Sequence, residues 1–377
     1  MTRRPLPQHL PSRLCSAIIG LALLSGSTLY AADLTWDGGS LFSGNDWNTS
    51  ILGFNGWNWN PNGNPGTDDN LSFAGSTKTS PNNNTTAGTT YAGLTFNTGA
   101  AAFTLVGNRI TLGANGITNN SGNLQTVNME LTLGADRTVN AASGAITIGG
   151  AISGNGGLTK EGSNTLTLTG TNAYGGPTAV NAGTLVINGN NGGATGTVTV
   201  ASGATLAGSG TVGGATSIAG GAVHSAGAVG DPGTQTFSNA LAYASGSIFQ
   251  WDLDAGTADT GAGAVNSGSY DQVVANGTVG GTSIFTIVLG TNSYTDAFWN
   301  TDKSWSNIFS GAGTYALASL FTSFGGSSVT SDGLVDGEGH FSFNGNTLNW
   351  TAIPELSNLL VGAVLGAGML RRKRQSV

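Results

Sequence analysis

Leu158-Thr159-Lys160-Glu161-Gly162, Asn164-Thr165-Leu166-Thr167-Leu168-Thr169-Gly170 and Val180-Asn181-Ala182-Gly183-Thr184-Leu185-Val186-Ile187-Asn188-Gly189 decide the fold of this chain. In an extended backbone Leu166 and Leu168 share one face while Thr165, Thr167 and Thr169 share the other, the alternation of a strand with one side buried. Clusters such as Gly154-Asn155-Gly156-Gly157 and Asn188-Gly189-Asn190-Asn191-Gly192-Gly193 punctuate these strands and supply the positive φ that sharp corners require.

Similar segments recur on both sides: Ile110-Thr111-Leu112-Gly113, Leu131-Thr132-Leu133-Gly134, Ile146-Thr147-Ile148-Gly149 and Thr205-Leu206-Ala207-Gly208. Aligned on their glycines, with Gly170 and Gly189 included, they are spaced by 21, 15, 21, 19 and 19 residues. Self-similarity at ~20 residues signals a solenoid. Nothing between the strands has the pattern of a ten-residue amphipathic helix, so a βαβ sheet, which needs a long crossover, is excluded. Short strands with turn signals also fit an antiparallel sandwich, which stands as the rival. The favoured reading is an all-β chain coiled into a right-handed parallel β-helix (solenoid), each rung ~4.8 Å above the last. Roughly seven rungs fit between Gly93 and Gly230, a cylinder of about 35 Å.

Gly156-Gly157 joined to the first segment quoted, the second segment, Asn172-Ala173-Tyr174-Gly175-Gly176-Pro177-Thr178 and the third together resemble one full copy of the autotransporter-associated β-strand repeat. Looser relatives, such as Ser202-Gly203-Ala204-Thr205-Leu206-Ala207-Gly208, extend the resemblance over about residues 90 to 230. It implies the parallel β-helical passenger region of an exported protein. The C-terminal third lacks the series of ~10-residue alternating strands expected of an outer-membrane barrel, so a self-transporting autotransporter is not expected.

The chain divides on this reading into a signal peptide (1–32), a Trp/Asn/Gly-rich N-terminal cap (33–92), the β-helix repeats (93–236), a C-terminal β domain (237–352) and a sorting tail (353–377). Caps are expected because an open coil end would recruit other chains. Trp36, Trp47, Trp57 and Trp59 lie in the first cap. They suit a plug for the first coil, and Trp57 and Trp59 are the candidates for stacking on sugar rings. The second flank has longer, more aromatic strands, including Ile248-Phe249-Gln250-Trp251-Asp252-Leu253 and Ile284-Phe285-Thr286-Ile287-Val288-Leu289, and its coil pattern fades. A sandwich-like or irregular β cap is expected there.

At the N-terminus Arg3, Arg4 and Arg13 precede an apolar run from Ala17 to Leu24 and small residues leading to Ala31-Ala32, the order of a secretory signal cleaved by signal peptidase near Ala32. The one cysteine, Cys15, lies inside it, so the mature chain has no disulfide. At the other end Ile353-Pro354-Glu355-Leu356 is followed by an apolar stretch to Leu370 and by Arg371-Arg372-Lys373-Arg374. Basic residues stay cytoplasmic, and the apolar stretch is short for a permanent span, which suits transient anchoring in the inner membrane. The layout resembles a PEP-CTERM sorting tail, with Leu356 where that family has a second proline. The resemblance implies processing by an exosortase-like enzyme.

Only 8% of residues are charged, 63 of 377 are glycine, and the glycines have no three-residue period. Without the basic ends the body keeps five basic against eighteen acidic residues, a net charge of −13. That balance repels nucleic acid. Catalysis on polysaccharides needs clustered carboxylates or bases. The repeats offer Arg109, Glu130, Asp136, Arg137, Lys160, Glu161, His224 and Asp231, at no common rung spacing. Asp136-Arg137 and Lys160-Glu161 read as solvated pairs at strand-to-turn positions. Asp252 with Asp254, and the loop from Asp332 to Glu338, lack EF-hand spacing, and His224 and His340 stand without cysteine. No catalytic, cofactor-binding or metal residue is therefore expected. Two functions remain: a structural or adhesive protein of the cell surface, outer membrane or extracellular matrix, or a carbohydrate-binding or polysaccharide-degrading β-helix that takes extracellular polysaccharide.

Overall fold

The computed structural model describes residues 31–40, 44–48, 57–228, 230–253, 270–289 and 299, and then 302–311, 315–324, 327–328, 334–335, 339–344 and 346–353. The expected signal up to Tyr30 and the sorting tail, with Pro354, Glu355, Arg371, Arg372, Lys373 and Arg374, lie outside the described residues. Among the described residues no helix is long and apolar enough to cross a membrane.

The alternation at Leu166 and Leu168 becomes a rung in one of three parallel ladders. The first ladder stacks Asp33–Trp36, Asn70–Phe73, the end of Thr90–Phe96, the end of Ile110–Asn119, Arg137–Asn140, Leu158–Glu161, Thr178–Val180, Val198–Val200, Thr216–Ile218 and the starts of Leu241–Leu253, Val279–Leu289 and Tyr315–Phe324. The second stacks Thr104–Gly107, Gln125–Val127, Ile146–Ile148, Thr165–Leu168, Thr184–Ile187, Thr205–Gly208, Val223–Ala228 and the far ends of the same last three strands. The third begins with residues 110–112, Leu131–Leu133 and Ile152–Gly154 and continues through Asn190–Asn191, Thr211–Val212, Thr234–Phe237, Gln272–Ala275 and Phe309–Ser310. The Ala173 amide, donating to Ile152 O at 2.8 Å, joins its two halves.

The result is an all-β parallel solenoid of about nine turns between Asn70 and Leu289, with Asp33–Trp36 and Tyr315–Phe324 as end strands. Parallel in-register pairing excludes the antiparallel sandwich. Rungs spaced at ~4.8 Å give those turns a length of roughly 45 Å.

The core is thin and columnar. Leu105, Val127, Ile148, Leu168 and Ile187 follow one another down the second ladder at 0–1% exposure, while Thr126, Thr147 and Thr167 form an outward row beside them. Glycine at the corner after this ladder lets the coils close up. A Cβ on Gly189 would lie 2.2 Å from Gly170 O, and one on Gly210 would lie 2.1 Å from Gly189 O.

The repeat segments fall on two different ladders. Ile110-Thr111-Leu112 and Leu131-Thr132-Leu133 pair with each other on the third ladder, whereas Ile146-Thr147-Ile148 pairs with Leu166-Thr167-Leu168 on the second. The interval of 15 residues between Gly134 and Gly149 is therefore a passage from one ladder to another within a coil. The rung below Ile146–Ile148 is Gln125-Thr126-Val127. Register spacings from Gln125 through Ile146, Leu166 and Leu185 to Leu206 are 21, 20, 19 and 21 residues.

Parallel stacking also continues across positions 93 and 236, where a change of architecture was expected. The coil pattern fades in the sequence because the rungs lengthen. Equivalent positions lie 37 residues apart from Thr35 to Ser72, 38 from Tyr243 to Gly281 and 36 from Gly281 to Leu317, against 20 from Val180 to Val200. Residues beyond 300 do hold a separate antiparallel sheet, made by Lys303–Trp305, Thr347–Ala352, Gly339–Asn344 and Leu334–Val335. At the N-terminal edge Trp59–Asn60 runs antiparallel to Asp33–Trp36 and covers part of its open side, which blunts a template for edge pairing.

Candidate functional site

Among the described residues, three places carry side chains with chemistry: the aromatic N-terminal end, the polar groups inside the coil, and the outward rows.

At the N-terminal end Trp36, Trp47 and Trp59 are all 0% exposed. Trp59 meets Trp36 and Trp47 edge to face, with ring centroids 5.2 and 5.7 Å away, and Trp47 meets Tyr91 at 5.6 Å. Phe73, Phe96 and Phe103 continue this packing into the next rungs. The Trp59 indole N–H donates to Trp47 O at 3.0 Å and that of Trp36 to Lys78 O at 3.2 Å. A ring buried and bonded in this way presents no face to a sugar, so Trp59 has no place in a glycan platform. Trp57, the other candidate, is half-buried. A second aromatic group, Trp299, Trp305, Phe341 and Trp350, packs on the antiparallel sheet, and Trp305 lies 5.5 Å from Trp251 of the solenoid.

Inside the coil the largest departure from the sequence reading is Lys160, expected in a solvated pair with Glu161. Lys160 is 0% exposed. It takes the inward position after Leu158, stacked between Val139 and Val180. Its ammonium donates to the carbonyls of Glu161, Gly162 and Ala182 at 2.9, 2.8 and 2.9 Å. Burial pushes its pKa down to about 8, against the opposing pull of the Glu161 charge. The stem fills an apolar column while the head satisfies a corner of two successive coils. Glu161 stays half-buried and accepts from Asn181 Nδ2 at 2.7 Å.

Asp136 and Arg137 likewise spend their side chains on backbone. Asp136 Oδ1 accepts from the Gly157 amide at 2.7 Å, and the Arg137 guanidinium donates from Nε to Leu112 O at 2.8 Å and from Nη1 to Asp136 O at 3.0 Å. Arg109, Glu130 and Asp231 are exposed on separate rungs.

His224 occupies a core column between Leu206 and Phe249 and stacks on the latter with centroids 5.3 Å apart. Tyr243 OH lies against its Nδ1, and Gln235 Oε1 is 2.8 Å from its Nε2. Burial lowers the His224 pKa to about 4, so the ring is neutral at ordinary pH. Asp252 and Asp271 are also buried, at 1% and 0% exposure. Asp252 Oδ2 accepts from Ser225 Oγ and the Gly230 amide at 3.1 and 3.0 Å, and Asp271 accepts from the amides of Gly233 and Asp252 at 2.8 and 3.1 Å. Burial, followed by the neighbouring Asp252 charge, pushes Asp271 up to about 9. These groups are tied into the rungs by their own hydrogen bonds. Among the described residues no three His, Cys, Asp or Glu side chains are gathered to hold a metal. Asp254, Asp332, Asp336 and Glu338 lie outside the described residues, and His340 is half-buried.

The outward rows were not singled out in the sequence as a surface. Thr138, Thr159, Ala179, Thr199, Ser217 and Ala242 succeed one another on the first ladder, and Thr104, Thr126, Thr147 and Thr167 on the second. They make uncharged strips with one position per rung, hydroxyl-bearing throughout on the second ladder and interrupted by Ala179 and Ala242 on the first.

Residues 158–187 match the family model described as Passenger-associated-transport-repeat. That segment is the middle of the solenoid and includes Lys160. Over 201 aligned residues the chain is 34% identical to the Adhesin BmaC autotransporter of Brucella suis biovar 1 (strain 1330). The alignment covers 49% of this chain and 5% of that protein, so the chain spans a small fraction of its relative's length.

Proposed function

We propose that this chain is an exported structural and adhesive protein of the cell surface or extracellular matrix, working as a rigid rod and not as a catalyst. The observation that carries this reading is the unbroken parallel ladder built around a passenger-associated transport repeat. A thin core with backbone pairing at every rung leaves the short central coils, of about 20 residues each, little open chain for a protease. The neutral row of Thr104, Thr126, Thr147 and Thr167 offers one hydroxyl per rung to a neutral polymer, and an extracellular polysaccharide is the partner we propose for it. The name of the adhesin relative supports the same reading.

The route to the surface is proposed from the ends of the sequence. Signal peptidase removes the leader near Ala31 and Ala32. The segment from Pro354-Glu355 to Arg371-Arg372-Lys373-Arg374 halts in the inner membrane until an exosortase-type enzyme removes it.

Cell fractionation with mass spectrometry of the mature termini tests this route. A surface or medium fraction ending near Pro354-Glu355 is the expected product, and an intact basic tail on a cytoplasmic protein would overturn it. Attachment of producing and deletion strains to polysaccharide-coated surfaces tests the adhesive role, which equal attachment would remove.

A further inference from the structure

The first ladder is fixed from Ala32 onward by a carboxylate. The Ala32 amide donates to Asp69 Oδ1 at 2.7 Å, and the Gly66 amide donates to Oδ2 of the same group at 2.7 Å. The Ala32 carbonyl accepts from the Asn70 amide at 2.8 Å, which makes Ala32 the first residue in the ladder. Asp69 is 7% exposed, while Ala31, one residue earlier, is exposed. Both bonds into Asp69 therefore come from neutral amides, although a carboxylate in such surroundings binds a charged donor about twice as strongly. Its negative charge is felt nearby, where it adds to the burial that raises the Tyr91 pKa.

Resting on the export reading above, we propose that the leader is cut at the Ala31–Ala32 bond and that Asp69 is the receptor for the ammonium group this creates on Ala32. Water adds across the amide. Ala31 leaves with the new carboxylate, and Ala32 keeps the nitrogen, which takes up a proton and bears a positive charge. The nitrogen already sits at hydrogen-bonding distance from Oδ1, so no rearrangement is needed to turn a neutral bond into an ion pair. A cut one bond later would remove the Ala32 amide from Asp69 and the Ala32 carbonyl from Asn70. Processing on this account closes the first rung as well as releasing the protein.

The test begins with the full 377-residue chain produced in a Sec-competent bacterial host, the exported form being sequenced at its N-terminus by mass spectrometry. Ala32 is expected as the first residue. Thermal unfolding of that form is then compared with a form retaining Ala31 and with the Ala32 form acetylated at its amine, each with and without Asp69→Asn. A free ammonium on Ala32 should raise Tm by about 2 °C at pH 6. The α-amino group ordinarily titrates near 7.7–8.0, and the carboxylate raises it in the folded state, so the advantage is complete below that range and lost as the pH rises through the raised folded-state value. Acetylation removes the advantage without altering Asp69, which keeps the test valid if Asp69→Asn does not fold. An exported protein starting anywhere else, or equal melting of the free and acetylated forms, overturns this inference alone. A chain that stays uncut with its leader overturns the export reading itself, and this one with it.

Discussion

Gly189→Ala is the perturbation that bears most directly on how the coils touch. The added Cβ would sit 2.2 Å from Gly170 O and 2.6 Å from Thr169 C, all backbone of the neighbouring rung. No flexible side chain can give way, so the two coils must part by about 1 Å at this corner. The bonds crossing it are Asn188 N and Gly189 N to Leu168 O, at 3.0 and 2.9 Å, and Thr211 N to Gly189 O, at 3.0 Å. Weakening two of them costs about 1–3 kcal/mol, and overpacking adds about 1–3 kcal/mol. A loss of roughly 2–6 kcal/mol is expected on these terms. Gly134→Ala is the control, because a Cβ there meets nothing within 4 Å. Its effect should stay within about 1 kcal/mol and can be stabilising through the unfolded chain. Urea unfolding of the cysteine-free body, followed by circular dichroism, gives both values. Equal midpoints for the two variants would refute the claim that these rungs are in backbone contact.

Three buried ionisable groups give further predictions. Lys160→Met keeps the apolar stem but leaves the Gly162 and Ala182 carbonyls without their donor, at a cost of about 1–3 kcal/mol, and Lys160→Ala should cost more by adding a cavity. Because folding lowers the Lys160 pKa from 10.5 to about 8, the unfolded chain binds more protons between those values, and wild-type stability should rise relative to Lys160→Met from pH 8 to 10. Folding also lowers His224 from 6.5 to about 4, so its contribution is complete above pH 6.5 and lost on acidification through that window; urea midpoints of His224→Phe should show a shallower fall than wild type. Asp271 has the opposite sign: raised from 3.8 to about 9, it favours the folded state at low pH and loses that contribution as pH climbs to 9, a slope that Asp271→Asn should flatten in the same assay.

The stretch from Leu158 to Gly189 disclosed the architecture because its apolar alternation and glycine corners coincide with the true rungs. One rung lower the signal fails for a physical reason. Gln125 occupies the column of Ile146 and Leu166, and it is stable there because its amide is fully engaged: Oε1 accepts from the Phe103 amide and Nε2 donates to Ala101 O and Ser121 Oγ, each at 2.8 Å. A polar residue in a core column breaks the apolar pattern, and Leu131-Thr132-Leu133 of the third ladder carries the alternation that Gln125-Thr126-Val127 lacks. His224 hides a rung in the same way at the other end. Long excursions concealed the first coil and the last two, since intervals of 36 to 38 residues share no rhythm with one of 20. Lys160 was read from its charge, whereas its position after Leu158 made it inward. Three-dimensional proximity of carbonyls from residues 161, 162 and 182 has no mark in the sequence. The tryptophans of the first rungs were legible as a plug from their number and apolar area. That Trp59 faces wholly inward was set by its pairing with Trp36.

The claim on which all of this depends is that successive coils stack in parallel and in register. Thr138, Thr199, Ser217 and Ala242 lie on one outward row, with Thr199 three rungs, Ser217 four rungs and Ala242 five rungs from Thr138. Spin labels on cysteines placed pairwise at Thr138 and each of the other three should give separations of about 14, 19 and 24 Å, rising by one strand spacing each time. Distances that fail to rise in that order would contradict the parallel coil outright.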